Sequence, residues 1–325
     1  MESIELVVAS VRDETPRVRS YLLHRADGGL LPAFEPGAHV EVTLQGTQGE
    51  PLVRHYSLCG EAGARDAWRL GVLREDAGRG GSLAVHRDWQ EGARVRCGAP
   101  KNQFPLAATP LPPGAEHVLI AGGIGITPLL AMARALRAGG VPWVLHYAAR
   151  SRGDAALLAE VEEVAAGHLR LYFDGGDPAR GMDVPAVLAA AGAGSHVYVC
   201  GPRPLNEAVI AAAAEAGWPR ERVHHEFFGA AAPAAGDGRF TVHLRASGLS
   251  VEVGAKESIL DACQRVGVEP LYDCRRGECG LCVTTVASGE VDHRDYVLSE
   301  ADRTQGRQIC ICVSRARGSE LTLEL

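Results

Sequence analysis

The stretch from Tyr272 to Cys282, YDCRRGECGLC, constrains this chain more tightly than any other. Cys274, Cys279 and Cys282 stand in the order C-x4-C-x2-C, the plant-type spacing for a [2Fe–2S] cluster held by four thiolates. Gly277 and Gly280 let the loop between them turn three sulfurs inward with no side chain in the way. A zinc knuckle asks instead for paired C-x2-C or mixed Cys/His sets, and His293 is the one nearby histidine after the loop. A disulfide staple suits an oxidising compartment, whereas the opening MESIELVVASVRDE carries no charged-then-apolar leader, so the expectation is a reducing cytoplasm. The fourth sulfur must come from elsewhere. Cys310 and Cys312 stand two apart in QICICVS, which reads as a strand, and alternation puts both on one face. Periodicity does not choose between them.

At 325 residues the chain is long enough for two or three domains, and 46% hydrophobic content is ample for packed cores. Its net charge of −7, from 33 basic and 40 acidic residues, argues against a nucleic-acid or anionic-membrane partner. No apolar run approaches the roughly 20 residues of a membrane span.

Residues 1–108 read as β structure, with IELVVASV, VRSYLLHR, HVEVTL, LVRHYSL and WRLGVLRE separated by Gly/Pro turns such as Glu35-Pro36-Gly37. Many short strands without long helices predict a barrel. Two patches in it carry chemistry. Arg54, His55, Tyr56 and Ser57 present a cation, aromatic rings and a hydroxyl on one strand. Gly78-Arg79-Gly80-Gly81-Ser82 opens a helix at SLAVHR, where backbone N–H groups can close on an anion.

Residues 109–228 alternate strand and helix: HVLIAGG, LLAMARALRAGG, WVLHYAAR, DAALLAEVEEVAA, LRLYFD, VPAVLAAA, HVYVCGP and PLNEAVIAAAAEAGW. Such alternation predicts a doubly wound parallel sheet, with ligands beyond the carboxyl ends of its strands. Thr127 reads as the cap of the first helix, Pro128 as its first residue and Gly139 as its stop. Gly123-x-Gly125 is a partial dinucleotide signal without its third glycine, and Cys200-Gly201-Pro202 follows a later strand.

A linker, GAAAPAAGDG over 229–238, separates the last unit, 239–325. There RFTVHLRASGLSVEVG reads as a hairpin turning at Ser247-Gly248, and SILDACQRVG as a helix capped by Ser258 with Cys263 packed inside.

CRRGECGLC, DHRDYVLSE and RQICICVSRA together resemble the ferredoxin module of the phthalate dioxygenase reductase and vanillate demethylase reductase family. That resemblance implies a C-terminal β-grasp ferredoxin with Cys312 as the last ligand and Cys310 as an extra thiol. RHYS with GRGGS resembles the flavin-binding set of the wider ferredoxin-NADP reductase superfamily, and PKNQFPL resembles the end of that domain. It implies Arg54 and Ser82 on the flavin phosphate beside Gly80 and Gly81, and Tyr56 and Ser57 along the isoalloxazine, with His55 in the same set. FMN is expected because this three-domain order goes with FMN in the family. GGIGITP, YAAR, YVCGP and HHEFF resemble its pyridine-nucleotide domain. Thr127, Cys200 and Phe228 are then the residues at the reacting rings, with Gly123, Gly125, Gly201 and Pro202 binding the nucleotide. Glu226 and Phe227 match the pattern without a chemical role. Arg150-Ser151-Arg152 falls by the adenosine ribose, where arginines would take a 2′-phosphate; NADH is expected from the relatives, with NADPH the alternative.

A nicotinamide gives two electrons as hydride and a [2Fe–2S] cluster takes one, and a flavin between them resolves the mismatch. The expectation is therefore an oxidoreductase that feeds a terminal oxygenase, usually a Rieske non-haem iron enzyme. The alternatives are a reductase for a cytochrome P450 and a non-catalytic redox sensor. Arg275 and Arg276 make the cluster loop basic, which fits either a partner's acidic patch or plain solvation.

Overall fold

The computed structural model describes residues 3–46, 49, 51–78, 80–107, 111–229 and 236–325. Arg79, the expected domain boundary at 108/109 and linker residues 230–235 lie outside the described residues. The chain forms two compact units, Met1–Phe228 and Gly229–Leu325.

The first unit opens with β1 (Ile4–Thr15), β2 (Val18–Arg25), β3 (His39–Gln45), β4 (Pro51–Ser57), β5 (Trp68–Leu73), helix α1 (Gly81–Asp88) and β6 (Arg94–Cys97). Among the described residues these strands form an antiparallel sheet in the order β4-β3-β6-β1-β2-β5. An isolated bridge from Leu58 to Leu70 joins the residue after β4 to β5, so the two end strands of the sheet come together as a barrel. Leu6, Tyr21, Leu23, Trp68 and Leu70 fill it.

The strand–helix alternation that follows gives β7 (His117–Gly122), α2 (Ile126–Gly139), β8 (Trp143–Ala149), α3 (Leu158–Val164), β9 (Leu169–Phe173), α4 (Val184–Ala190), β10 (His196–Gly201), α5 (Arg203–Glu215) and β11 (Val223–Phe227). The sheet is parallel throughout, in the order β11-β10-β7-β8-β9. β7 is buried at every residue because both faces are covered. One cluster packs α2 and α3 on Leu119, Leu145 and Tyr147, and another packs α4 and α5 on Val118, Ile120 and Val199. The chain runs outward from β7 to β9, then returns to β10, which places the topological switch point between β7 and β10.

The second unit contains β12 (Phe240–Leu244), β13 (Leu249–Val253), α6 (Ile259–Arg265), β14 (Val283–Ser288), β15 (Val291–Asp292), α7 (Glu300–Gln305), β16 (Gln308–Cys310), β17 (Arg315–Ala316) and β18 (Glu320–Leu323). Its main sheet, β13-β12-β18-β14-β16, is mixed, with β12 and β18 parallel, and α6 packs on β13. Ser258 caps α6 by accepting from Asp261 N–H at 3.0 Å, and Cys263 is buried within that helix.

Three local expectations need correction. α2 begins at Ile126 with Gly125 as its cap, because the chain leaves β7 through a 3-10 turn; Thr127 lies inside the helix and donates to the Ile124 carbonyl at 3.0 Å. The helix stop is Gly140, left-handed at φ 61, rather than Gly139. QICICVS is strand only to Cys310, since Val313 and Ser314 N–H groups both bond back to the Cys310 carbonyl and turn the chain. Among the described residues no helix is long and apolar enough to cross a membrane.

Candidate functional site

In the barrel, β3–β4 pairing sets Arg54 opposite Val42 and Tyr56 opposite Val40, so alternation puts Arg54 and Tyr56 on one face. A Cβ at Gly81 would fall 2.3 Å from Arg54 Nε, so the guanidinium lies across the first turn of α1. Gly80 caps that helix at φ 77, where a side chain would be strained. A cation over helix N–H groups is an anion site, and the residues present fit a flavin phosphate. The Ser82 hydroxyl accepts from Glu75 N–H at 2.9 Å, which fixes it beside the same turn. Tyr56 stands edge-on to Trp89, His55 stacks on His39 at 4.9 Å, and Ser57 is buried.

β5 connects this patch to the second constellation. Leu70 bridges to Leu58, and at the next residue a Cβ on Gly71 would lie 2.8 Å from Thr127 Cγ2. Thr127 thus stands against the barrel strand that borders Tyr56 and Ser57. At the switch point a Cβ on Gly125 would sit 2.0 Å from the Cys200 carbonyl oxygen, and one on Gly201 2.9 Å from Gly122 Cα. The ends of β7 and β10 therefore meet backbone to backbone, and Gly123, at φ 52 with open space around it, leaves room for a ring. Pro202 precedes the first turn of α5. Cys200 is buried against the α2 side of the sheet, and Phe228, just past β11, is 39% exposed. Arg150 is exposed at the end of β8, one strand beyond the crevice, and Arg152 pairs with Glu162 at 2.6 Å.

The cysteine loop belongs to the second unit. Gly277 and Gly280 are left-handed, and side chains there would meet Val313 at 2.7 Å and Val297 at 3.0 Å. Arg276 N–H donates to Cys274 Sγ at 3.3 Å. The Cys279 thiol, followed by the loop's N–H groups, pulls Cys274 down to about 6 and is itself pushed up. Hydrogen bonds from Cys310 and then Cys312 pull Cys282 down to about 3. Cys282, followed by burial, pushes both Cys310 and Cys312 up. Among the described residues no three His, Cys, Asp or Glu side chains converge on one metal ion. Two irons need two thiolates each, and the thiols fit that need, Cys274 beside Cys279 and Cys282 beside both Cys310 and Cys312.

The two loop arginines differ: Arg276 is withdrawn from solvent, whereas the Arg275 side chain stays 39% exposed. Arg276 is buried in an ion pair with Glu278 at 3.0 Å, and Arg275 is held by Asp261 at 2.7 Å, by Gln264 at 2.6 Å and over the Tyr272 ring. Gly122, signalled by the doubled glycine at a strand end, and Asp295, which stands within DHRDYVLSE, were not singled out by the sequence. Three histidines, His117, His196 and His224, gather with Tyr198 at the opposite end of the nucleotide sheet. His196 Nδ1 lies 2.9 Å from His224 Nε2, and burial pushes His117 and His224 down to about 4.

Fold and site define an oxidoreductase with a dinucleotide-binding module and a thiolate iron–sulfur module. Residues 119–210 match the oxidoreductase NAD-binding domain, and 242–317 match the 2Fe-2S iron-sulfur cluster binding domain. A vanillate O-demethylase oxidoreductase from a Pseudomonas species is 40% identical, over 99% of this chain and 100% of that one. The solved phthalate dioxygenase reductase, titled a modular structure for electron transfer from pyridine nucleotides to [2Fe-2S], superposes with TM-score 0.75. It is 37% identical and covers 99% of this chain and 98% of its own. An intact type IV self-sufficient cytochrome P450 monooxygenase matches 99% of this chain at 35% identity and TM-score 0.73, though the match spans 41% of that longer chain. The chain belongs to the phthalate dioxygenase reductase and vanillate O-demethylase reductase family.

Proposed function

We propose that the chain is the NADH-dependent reductase component of an oxygenase system, passing electrons from NADH through FMN and a [2Fe–2S] cluster to a Rieske non-haem iron oxygenase. The observation that carries this reading is the set of paired thiols behind one glycine-opened loop, on a chain whose nucleotide crevice borders a barrel anion site. Bound flavin supplies the exchange between hydride and single electrons, and the cluster carries them singly.

The protein's part is binding and alignment. Arg54 and the α1 N-terminus hold the flavin phosphate, with Gly80, Gly81 and Ser82 shaping the turn. Tyr56 and Ser57 line the ring, and His55 stiffens their strand. The Gly123, Gly125 and Gly201 backbones admit the nicotinamide beside Thr127 and Cys200, Pro202 starts the helix behind it, and Phe228 covers the flavin ring. Arg150 faces the adenosine ribose. The pairing of Arg152 with Glu162 supports NADH over NADPH, since it occupies one of two cations available to a 2′-phosphate. Cys274, Cys279, Cys282 and Cys312 ligate the cluster. The domains run 1–108 for flavin, 109–228 for nucleotide and 239–325 for the cluster, with 229–238 as linker. A cytoplasmic setting suits thiolates that must stay reduced.

Freshly purified protein should show a flavin and iron–sulfur spectrum, release FMN on chromatography, contain iron and sulfide, and bleach with NADH under anaerobic conditions. Colourless, iron-free protein indifferent to NADH would sink the reading. The P450 match favours a second acceptor class, and a carbon monoxide difference spectrum of the co-purified partner separates the two.

A further inference from the structure

The segment from His293 to Leu298 packs against the cysteine loop around a carboxyl group with no exposure to solvent. Ser314 Oγ donates to Asp295 Oδ1 at 3.2 Å, and Leu298 N–H donates to Oδ2 at 2.8 Å. Arg303 Nη2 stands 3.7 Å from Oδ2 and also donates to the Asp295 carbonyl, while His293 Nδ1 is 3.7 Å from Oδ1. The Asp295 side chain is 0% exposed and that of Arg303 36%. A hydroxyl, an amide N–H and a guanidinium thus surround the carboxyl oxygens.

The group lies directly behind the ligand loop. A Cβ on Gly277 would meet Asp295 Cα at 3.0 Å and Cβ at 3.3 Å, and Tyr296 N–H bonds to the Gly277 carbonyl at 2.9 Å. Ser314, its other anchor, is two residues past Cys312. Reduction of a cluster adds negative charge to it. A fixed anion in a dry site opposes that step and a nearby cation favours it, the buried carboxyl being the less screened of the two.

We propose that Asp295 and Arg303 form an opposed charge pair that sets the reduction potential of the [2Fe–2S] centre, Asp295 holding it down and Arg303 drawing it up. Neither is a ligand; both act through the thiolate shell. The inference rests on the cluster reading above.

The test is an anaerobic optical redox titration of the full chain as wild type, Asp295→Asn and Arg303→Gln, with iron and sulfide counted on each sample. Asp295→Asn should raise the midpoint, changing the oxidised-to-reduced ratio at fixed poise on the order of tenfold, or about 59 mV for one electron. Arg303→Gln should lower it by less, because water screens its partly exposed guanidinium. Opposite signs are the signature of charge. Loss of iron from both variants, shifts of the same sign, or full clusters at unchanged potential would each overturn the proposal. If Asp295→Asn fails to fold, the sign of the Arg303→Gln shift still decides it. Wild-type protein without iron and sulfide would instead overturn the cluster reading itself.

Discussion

Gly125→Ala tests whether the nucleotide crevice works by backbone contact. The added Cβ would sit 2.0 Å from the Cys200 carbonyl oxygen, 2.3 Å from its carbon and 2.7 Å from the Gly201 nitrogen. All three are backbone atoms at the end of a central parallel strand, so none can swing aside as a side-chain tip would. Relief requires the turn after β7 to part from the end of β10, an overpacking strain of about 1–3 kcal/mol. Carried by the crevice, that strain weakens nucleotide binding about 5- to 150-fold, since every ~1.4 kcal/mol is tenfold. Gly192→Ala is the matched control. Its Cβ would meet the Gly114 carbonyl oxygen at 1.8 Å, an equal clash in the same domain but at the amino-terminal end of the sheet. Anaerobic stopped-flow reduction of the bound flavin over a range of NADH concentrations reads the effect, alongside thermal unfolding. Both variants should lose stability, and only Gly125→Ala should need more NADH for half-saturation. Equal half-saturation in the two variants would refute the argument.

Three further outcomes are expected. Arg54→Ala should weaken flavin retention by about 1.5–3 kcal/mol, the value of a hydrogen bond to a charged group, and flavin occupancy after gel filtration checks it. Cys312→Ala should strip the cluster while leaving flavin reduction by NADH intact, whereas Cys310→Ala should keep its iron and sulfide; the reverse pattern would make Cys310 the ligand. Acid should loosen the nucleotide domain, because His117 is fully buried and held at about 4 against 6.5 when unfolded. The unfolded chain then binds the proton first, so stability is complete above 6.5 and drains away as pH falls toward 4, by up to about 3 kcal/mol. Urea midpoints across that window should slope less in His117→Phe, and identical slopes would count against this.

The limits of sequence are visible in particular residues. VRSYLLHR became β2 residue for residue, because alternation and flanking turns are local signals. Ser258 could be read as a cap because its bond to Asp261 spans three residues. Thr127 misled because a 3-10 turn took up the preceding residues, and that turn follows from the close approach of Gly125 to Cys200, 75 positions away. QICICVS looked like unbroken strand since nothing local announces the turn after Cys310.

By itself the sequence determined the chemistry on offer: thiols at C-x4-C-x2-C, glycines where backbones must touch, and a run of strands followed by strand–helix repeats. Those properties depend on neighbours along the chain. Only the tertiary structure decided that Cys310 and Cys312 both come to Cys282, that Arg276 is buried against Glu278, and that Asp295 stands behind Gly277. Pairings of that kind are fixed by which strands and loops pack together. Burial then turns a charge that solvent would otherwise mask into one that acts on its neighbours.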